Sequence, residues 1–371
     1  MENKIEENNK PIRILNFVPN MRAAGIETFI MNVYRNIDRS KVQFDFIVHN
    51  KRREFFDDEI EKLGGKIYRL TYKDDKNIFK YIKDLDNFFK EHKEYKIVHG
   101  HMQSMMPLYL YIAKKNNVLV RIAHSHNGSY EKSLKGFILH IFSRFSKKFS
   151  TQNLACSDTA GKYLFGNDDY DVIFNGINTE KFEFDEKIRE EKRKELNVQD
   201  KFVIGHIGRF ELQKNHEYII NIFSEICKEK SNCVLMLVGE GKLEEKIKEK
   251  VKNLNLEKNV MFLGVRNDVN KLYNAFDCFI LPSLYEGLPV VGVEAQINNL
   301  PCIFSDNITK EVKIQESTKF LNIENNNISN WANTIINSKR TEVQDRSNYN
   351  TFDITQIAKK LENLYFDLLK K

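Results

Sequence analysis

The sequence predicts two doubly wound α/β domains in tandem. Three observations carry that reading. The 371 residues are too many for one small core and suit two domains of roughly 150–200 residues each. Short β-branched or aromatic runs alternate along the chain with longer amphipathic stretches, the pattern of parallel strands joined by crossover helices. One charged stretch, residues 183–200, interrupts the alternation and reads as a link between two halves.

In the first half, residues 12–18, 44–48, 66–70, 96–100, 118–123, 153–156 and 172–174 read as strands, bounded by turn residues. Residues 26–37, 78–89, 104–115 and 134–149 have helical spacing. The second half repeats the scheme, with strands at 202–207, 233–238, 260–263, 278–281 and 302–304, each followed by a helix. A last helix spans about 354–369. The domains are therefore expected at 1–185 and 186–350, with 351–371 a terminal helix packing back toward the first domain. Open parallel sheets bind ligands beyond the carboxyl ends of their strands, so the functional residues should follow strands and face a cleft.

Composition narrows the function classes. With 41% apolar residues, 27 Phe and 15 Tyr, disorder is excluded. No apolar run reaches the ~20 residues that span a bilayer. The polar start MENKIEENNK is no signal peptide. Five cysteines without metal spacing fit a reduced, cytoplasmic setting. The net charge of +6 is unevenly spread: residues 101–150 hold eight Lys/Arg against one acid, a larger surplus than that of the whole chain. That is one local basic patch and excludes general nucleic-acid binding.

Five motifs sit at strand ends. In FILPSLYEGLPVVGVEA a strand ends at Pro282, and a helix is expected from about Leu288 with Pro289 in its first turn. Helix N-terminal amides suit a phosphate or anionic oxygen, and Glu286 and Glu294 can each accept from sugar hydroxyls. In GHIGRFELQKNH, Arg209 offers a fork and Lys214 a point charge, a suitable pair for a diphosphate. VGEG places Gly239 and Gly241 where backbones approach closely, and FLGVRND offers backbone contacts near Arg266, with Asp268 as a helix N-cap. In PNMRAAGIE, Gly25 opens a helix without a dinucleotide fingerprint, and Glu27 complements the helix dipole. HGH at 99–101 and HSHNG at 124–128 gather four histidines, but without acids or a zinc spacing, so sugar hydroxyls or proton transfer suit them better than a metal.

Taken together, GIETF, HSHNG, VIFNGIN, GRFELQKN and EGLPVVGVEA, in this order and at these separations, resemble glycosyltransferase family 4 over nearly the whole chain. The resemblance implies the GT-B fold, two Rossmann-like domains facing each other across a cleft. It implies a retaining, metal-independent hexosyltransferase of capsule or exopolysaccharide type, without cofactor. The implied partners are a nucleotide-sugar donor, UDP-linked, and a saccharide or polyprenyl-linked acceptor. By motif, Glu286 contacts the donor sugar, Gly287 and Leu288 present amides to it, and Glu294 holds ribose hydroxyls. Arg209 and Lys214 neutralise the diphosphate, and Gly25 passes its amide near it. Gly241 and Arg266 complete the donor side. His126 matches the histidine beside the donor sugar; His124 is the alternative, because two histidines stand where the family has one. His101, His124 and Tyr130 are assigned to the acceptor side. The usual paired glycine is Ala24-Gly25 here.

HSHNG contains no acid to serve as a nucleophile, which favours front-face attack over a covalent intermediate. A nucleotide-sugar epimerase and a non-catalytic sugar-binding partner are the alternative functions on this scaffold. The run 134–149 has apolar residues at 134, 137, 138, 141, 142, 145 and 149, flanked by cations. It reads as a helix whose apolar face packs on the first sheet while its cationic rim meets an anionic membrane. The expected location is cytoplasmic, peripheral to the inner face of the plasma membrane. Met102, Met105 and Met106 either line an apolar acceptor pocket or pack the core.

Overall fold

The structure, a computed structural model, describes residues 10–71, 77–128, 133–340 and 347–370. The chain divides into two compact units, Met1–Ile177 with Asp353–Lys371, and Asn178–Phe352.

The first unit runs β1 (Ile12–Val18), α1 (Gly25–Asn36), β2 (Val42–Val48), α2 (Asp57–Lys62), β3 (Ile67–Arg69), α3 (Ile78–Glu91), β4 (Ile97–Gly100), α4 (Met106–Lys115), β5 (Val120–Ser125), α5 (Leu134–Arg144), β6 (Gln152–Ala155), α6 (Asp158–Phe165) and β7 (Asp171–Val172). Its strands form one parallel sheet in the order β3-β2-β1-β4-β5-β6-β7. The order reverses between β1 and β4, so the ends of β1, β4 and β5 surround the topological switch point.

The second unit runs α7 (Glu186–Glu195), β8 (Phe202–Ile207), α8 (His216–Glu229), β9 (Cys233–Val238), α9 (Glu244–Asn253), β10 (Val260–Phe262), α10 (Val269–Ala275), β11 (Cys278–Leu281), α11 (Val290–Ile297), β12 (Cys302–Ser305), β13 (Lys319–Leu321) and α12 (Ile328–Ile336). Its parallel sheet has the order β10-β9-β8-β11-β12-β13 and switches between β8 and β11.

The final helix, α13 (Ile354–Lys370), belongs to the first unit. Ile354, Ile357, Ala358, Leu361, Tyr365 and Leu368 recur at helical spacing and are buried in one cluster with Ile14, Phe44 and Phe46. Burying each large apolar side chain stabilises by about 1.5–3 kcal/mol. An isolated parallel bridge joins Ile177 to Asp353, where the chain returns to the first unit.

Three expectations are corrected. The charged run is no link, because residues 186–195 form α7 of the second unit. Arg189 and Arg193, one turn apart on it, both bond Asp277, whose Oδ2 also accepts from the amide of Val203. Arg189, Lys192 and Arg193 turn inward onto Asp277 and Asp268, while Lys187, Glu190, Glu191 and Lys194 stay exposed. Secondly, β12 is followed by a 3-10 turn, Lys310–Val312, and then by β13, a three-residue edge strand too short to carry a pattern. Thirdly, the helix expected from about Leu288 starts at Val290, with Pro289 as its N-cap.

Candidate functional site

In the second unit, the ends of β8 and β11 are adjacent because those strands pair across the switch point. The chain leaves β8 through Gly208, makes a 3-10 turn at Leu212–Lys214 and enters α8 after Asn215, which holds a left-handed φ of 56°. Backbone bonds lace this turn to the loop after β11. The amide of Leu284 donates to the carbonyl of Gln213 at 2.8 Å, and Asn215 Nδ2 donates to that of Pro282 at 3.2 Å. Lys214 Nζ is thereby brought 2.6 Å from Oε1 of Glu286, while Gln213 Nε2 donates to Oε2 at 3.1 Å. Both members of the ion pair are largely withdrawn from solvent, at 15% and 9% exposure.

The two cations expected as a matched pair therefore differ. Lys214 is neutralised by Glu286, whereas Arg209 is exposed, with Glu211 at 3.4 Å. Gly239 and Gly241 approach their own unit. A Cβ on Gly241 would lie 2.6–2.8 Å from the backbone of Phe210, and Gly239 has a φ of 135° with the carbonyl oxygen of Gly208 at 2.3 Å from such a carbon. The Arg266 guanidinium is forked onto Asp268 by two 2.8 Å bonds. Asp268 stands at the N-cap position of α10 but caps no amide with its side chain, because Arg266 and Lys192 take its carboxylate. Gly287 and buried Leu288 lie in the turn before α11, and a Cβ on Gly287 would meet nothing within 4 Å. On α11, Glu294 accepts from Tyr273 Oη at 2.8 Å. Burial pushes its carboxyl up to about 7, against the Tyr273 bond and the charge of Lys181.

In the first unit, α1 starts at Gly25 with Ala24 as an uncapped N-cap, and a Cβ on Gly25 would meet nothing within 4 Å. Glu27 occupies the first turn as expected, but it is 4% exposed, and burial raises its carboxyl pKa against its own backbone bond and Arg22. Met102, Met105 and Met106 are buried in the core beside Leu110 and Phe165, which settles them as packing. Tyr130 lies outside the described residues.

The four histidines form one cluster at the ends of β4 and β5. His99 Nδ1 is 2.8 Å from Tyr365 Oη on α13, and His99 Nε2 is 3.1 Å from His124 Nδ1. His101 Nε2 is 3.2 Å from Asn16 Oδ1 on β1, and His101 Nδ1 is 2.9 Å from His126 Nε2. His124 and His126 stack with centroids 4.1 Å apart, and Phe29 of α1 touches both rings. Burial holds all four neutral, with His99 and His126 lowered to about 3. His124 is fully buried, whereas His126 lies beyond the strand and is partly exposed. Ring nitrogens of His99, His101 and His124 fall within 4.8 Å of one another, the one such group of potential metal ligands among the described residues. His99 and His101 have partners at both ring nitrogens, whereas His124 has one at Nδ1 and none among the described residues at its buried Nε2.

Helix α5 reverses the packing expected of it. Leu134, Phe137, Ile138, Leu139, Ile141, Phe142 and Phe145 are 39–77% exposed. The sides turned inward are Gly136, His140, Ser143 and Ser146, spaced by three and four residues. His140 stacks on Tyr163 of α6 at 4.3 Å. Small and polar residues face the unit, so the apolar face is outermost. Next to it, Pro107, Leu108, Tyr111, Phe142, Phe145 and Phe149 line an apolar groove. Fewer cations than expected flank it. Arg121 donates inward to the carbonyls of Phe149 and Val118, Lys115 pairs with Asp86, and Lys147 pairs with Asp168. Lys114, Lys135, Arg144 and Lys148 are exposed. No described helix is long and apolar enough to cross a membrane.

Three residues of these clusters escaped sequence reasoning. Gln213 looked like any loop residue, and Tyr365 belongs to a helix far along the chain. Asn16 did leave a signal, as a lone amide in the apolar strand IRILNFV.

Two family models match the chain, Glycosyltransferase Family 4 over residues 23–181 and Glycosyl transferases group 1 over residues 187–351. EpsF of Bacillus subtilis (strain 168), named as a glycosyltransferase, is 32% identical over 373 residues, 96% of this chain and 97% of its own. The UDP-Gal:alpha-D-GlcNAc-diphosphoundecaprenol alpha-1,3-galactosyltransferase of Escherichia coli is 27% identical over 79% of this chain and 81% of its own. Among solved structures, Anabaena HepE in complex with UDP matches with a TM-score of 0.74 at 18% identity, over 96% of each chain. That likeness, with the two parallel sheets, gives the two-domain α/β GT-B fold class. Matched in both halves by family models and along its length by EpsF, the chain is a member of glycosyltransferase family 4.

Proposed function

We propose that this glycosyltransferase moves a hexosyl group from a nucleotide-sugar donor, UDP-linked, to a saccharide or polyprenyl-linked saccharide. The transfer retains anomeric configuration, needs no metal or other cofactor, and serves the synthesis of a bacterial surface polysaccharide. The observation that carries the reading is the Lys214–Glu286 pair beyond the carboxyl ends of β8 and β11. Breaking a sugar–diphosphate bond develops negative charge on the diphosphate and positive charge on the sugar, and a cation fixed beside a carboxylate answers both. Lys214 spends one of three donors on Glu286 and keeps two for phosphate oxygens, while each oxygen of Glu286 retains a lone pair for sugar hydroxyls. Arg209 adds a guanidinium fork. The amides of Gly287 and Leu288 and the backbone at Gly241 and Arg266 serve the donor, Glu294 the ribose, and the Gly25 amide a phosphate. His126, partly exposed where His124 is fully buried, is the histidine that meets the sugar; His101 and His124 support the acceptor side.

In the front-face reaction, the bond from the anomeric carbon to the diphosphate oxygen breaks. The acceptor oxygen bonds the same face, and its proton passes to the leaving phosphate. The Escherichia coli relative's name specifies UDP-galactose and a diphosphoundecaprenol acceptor, and CapH of Staphylococcus aureus, 26% identical over 95% of this chain, is named for capsular polysaccharide biosynthesis. The outward apolar face of α5 suits peripheral attachment to the anionic inner face of the plasma membrane, where such an acceptor resides. Each cation near an anionic surface adds about 1 kcal/mol.

Incubation with a panel of nucleotide sugars tests the reading. Transfer, or slow donor hydrolysis, is expected in chelator, and the product's anomeric configuration should match the donor's. Conversion of the donor to its epimer without an acceptor, an inverted product, or a trapped glycosyl-enzyme adduct would overturn the corresponding part.

A further inference from the structure

The histidine cluster has a hydrogen-bond direction that the backbone dictates. Asn16 is 1% exposed on β1, and its Nδ2 faces the carbonyl oxygens of Ile14 at 3.4 Å and Asp45 at 3.3 Å. A carbonyl oxygen only accepts, so turning the amide round would set oxygen against two oxygens. Oδ1 therefore faces His101, and His101 Nε2 must carry the proton across the 3.2 Å contact. His101 is neutral, so its Nδ1 holds a lone pair, which accepts from His126 Nε2 at 2.9 Å. His126 is neutral as well, which leaves Nδ1 bare. That atom is buried and has no partner among the described residues.

We infer that Asn16 and His101 are positioning residues that lock His126 in the Nε2–H tautomer, so that Nδ1 is a fixed acceptor for a substrate hydroxyl. A bare imidazole nitrogen repels phosphate and carboxylate oxygens, so the group it recognises is a sugar hydroxyl and not the diphosphate. The inference rests on the transferase reading for the identity of that substrate. Its tautomer claim stands on the first unit alone. A metal on His101 Nδ1 would displace the His126 bond, so the relay and a metal site exclude each other.

The test is long-range ¹H–¹⁵N correlation on the full chain labelled in histidine, with His101 and His126 assigned by substitution. Both are expected as neutral Nε2–H tautomers from pH 6 to 8. In Asn16→Leu the His126 resonances should move to a tautomer mixture. Turnover should fall about tenfold, the scale of one hydrogen bond, with UDP affinity by calorimetry unchanged. An Nδ1–H or charged His126, stoichiometric zinc in the purified protein, or an Asn16→Leu variant with the wild-type tautomer and turnover would each overturn the inference. The wild-type spectrum decides the matter even if Asn16→Leu does not fold. A protein that turns over no nucleotide sugar but shows the expected tautomers would sink the functional reading and leave the relay standing.

Discussion

Lys214 Nζ lies 2.6 Å from Oε1 of Glu286, joining two motifs that stand 72 residues apart in the chain. Removing one partner leaves the other charged and largely shielded from water, at an expected cost of about 3 kcal/mol, the low end for a buried pair. Lys214→Ala should lower turnover about 100-fold, the scale of losing one preorganised electrostatic group, while unfolding stays cooperative. The Lys214→Ala, Glu286→Ala double variant should be less destabilised than the sum of the singles, measured by denaturant titration. Near-wild-type turnover in Lys214→Ala would refute the leaving-group role.

The Glu294 carboxyl, raised to about 7 by burial, makes stability depend on pH with a definite sign. The folded protein keeps a proton that the unfolded chain releases. Its contribution is therefore full below the unfolded value of 4.5 and is lost as pH rises through about 7. Measured against Glu294→Gln at each pH, wild type should lose stability between pH 5 and 8. Comparison at equal pH cancels the buried histidines, which act in the opposite direction. Tyr273→Phe, which removes the hydrogen bond that favours the carboxylate, should move the loss to higher pH.

Two glycines should respond differently to alanine. At Gly25 a methyl meets no protein atom within 4 Å, and at Gly241 it lies 2.6–2.8 Å from the Phe210 backbone. Gly25→Ala should leave the melting temperature unchanged or slightly raised and raise KM for the nucleotide sugar. Gly241→Ala should lower the melting temperature. Thermal scans beside donor kinetics separate the two, and an unchanged KM in Gly25→Ala would remove Gly25 from the donor side.

The exposed face of α5 predicts vesicle binding in two parts. Ile138→Asp with Phe142→Asp should abolish co-flotation with anionic liposomes at unchanged melting temperature, since both side chains face outward. Lys135, Arg144 and Lys148 changed to Gln should weaken binding mainly at low salt, because exposed charges are screened beyond about 8 Å at physiological ionic strength. Flotation of the Asp double variant at the wild-type level would show that this face meets no membrane.

Strand periods were legible because a doubly covered parallel strand is a short apolar run. Strands such as 12–18, 202–207 and 278–281 emerge at the residues read from the sequence. Helix α5 was misread for a physical reason. Helical spacing of apolar residues reveals that a helix has two faces, but not which one turns inward. Here Gly136, Ser143 and Ser146 allow close approach, and the apolar side is left outside. The charged run at 186–195 was misread in the same way. Charge content does not reveal that Asp277 waits, more than eighty residues on, for Arg189 and Arg193.

By itself the sequence determined the two tandem parallel sheets, the family, and the strand ends where the candidate residues stand. Those follow from local periodicity and from motifs contiguous in the chain. Only the tertiary structure decided that Lys214 is paired with Glu286, that Tyr365 of α13 meets His99, and that Asn16 faces His101. Each is a contact between residues 72 or more positions apart, made by the order of strands in a sheet and the packing of a helix upon it. Local pattern carries no record of such pairings.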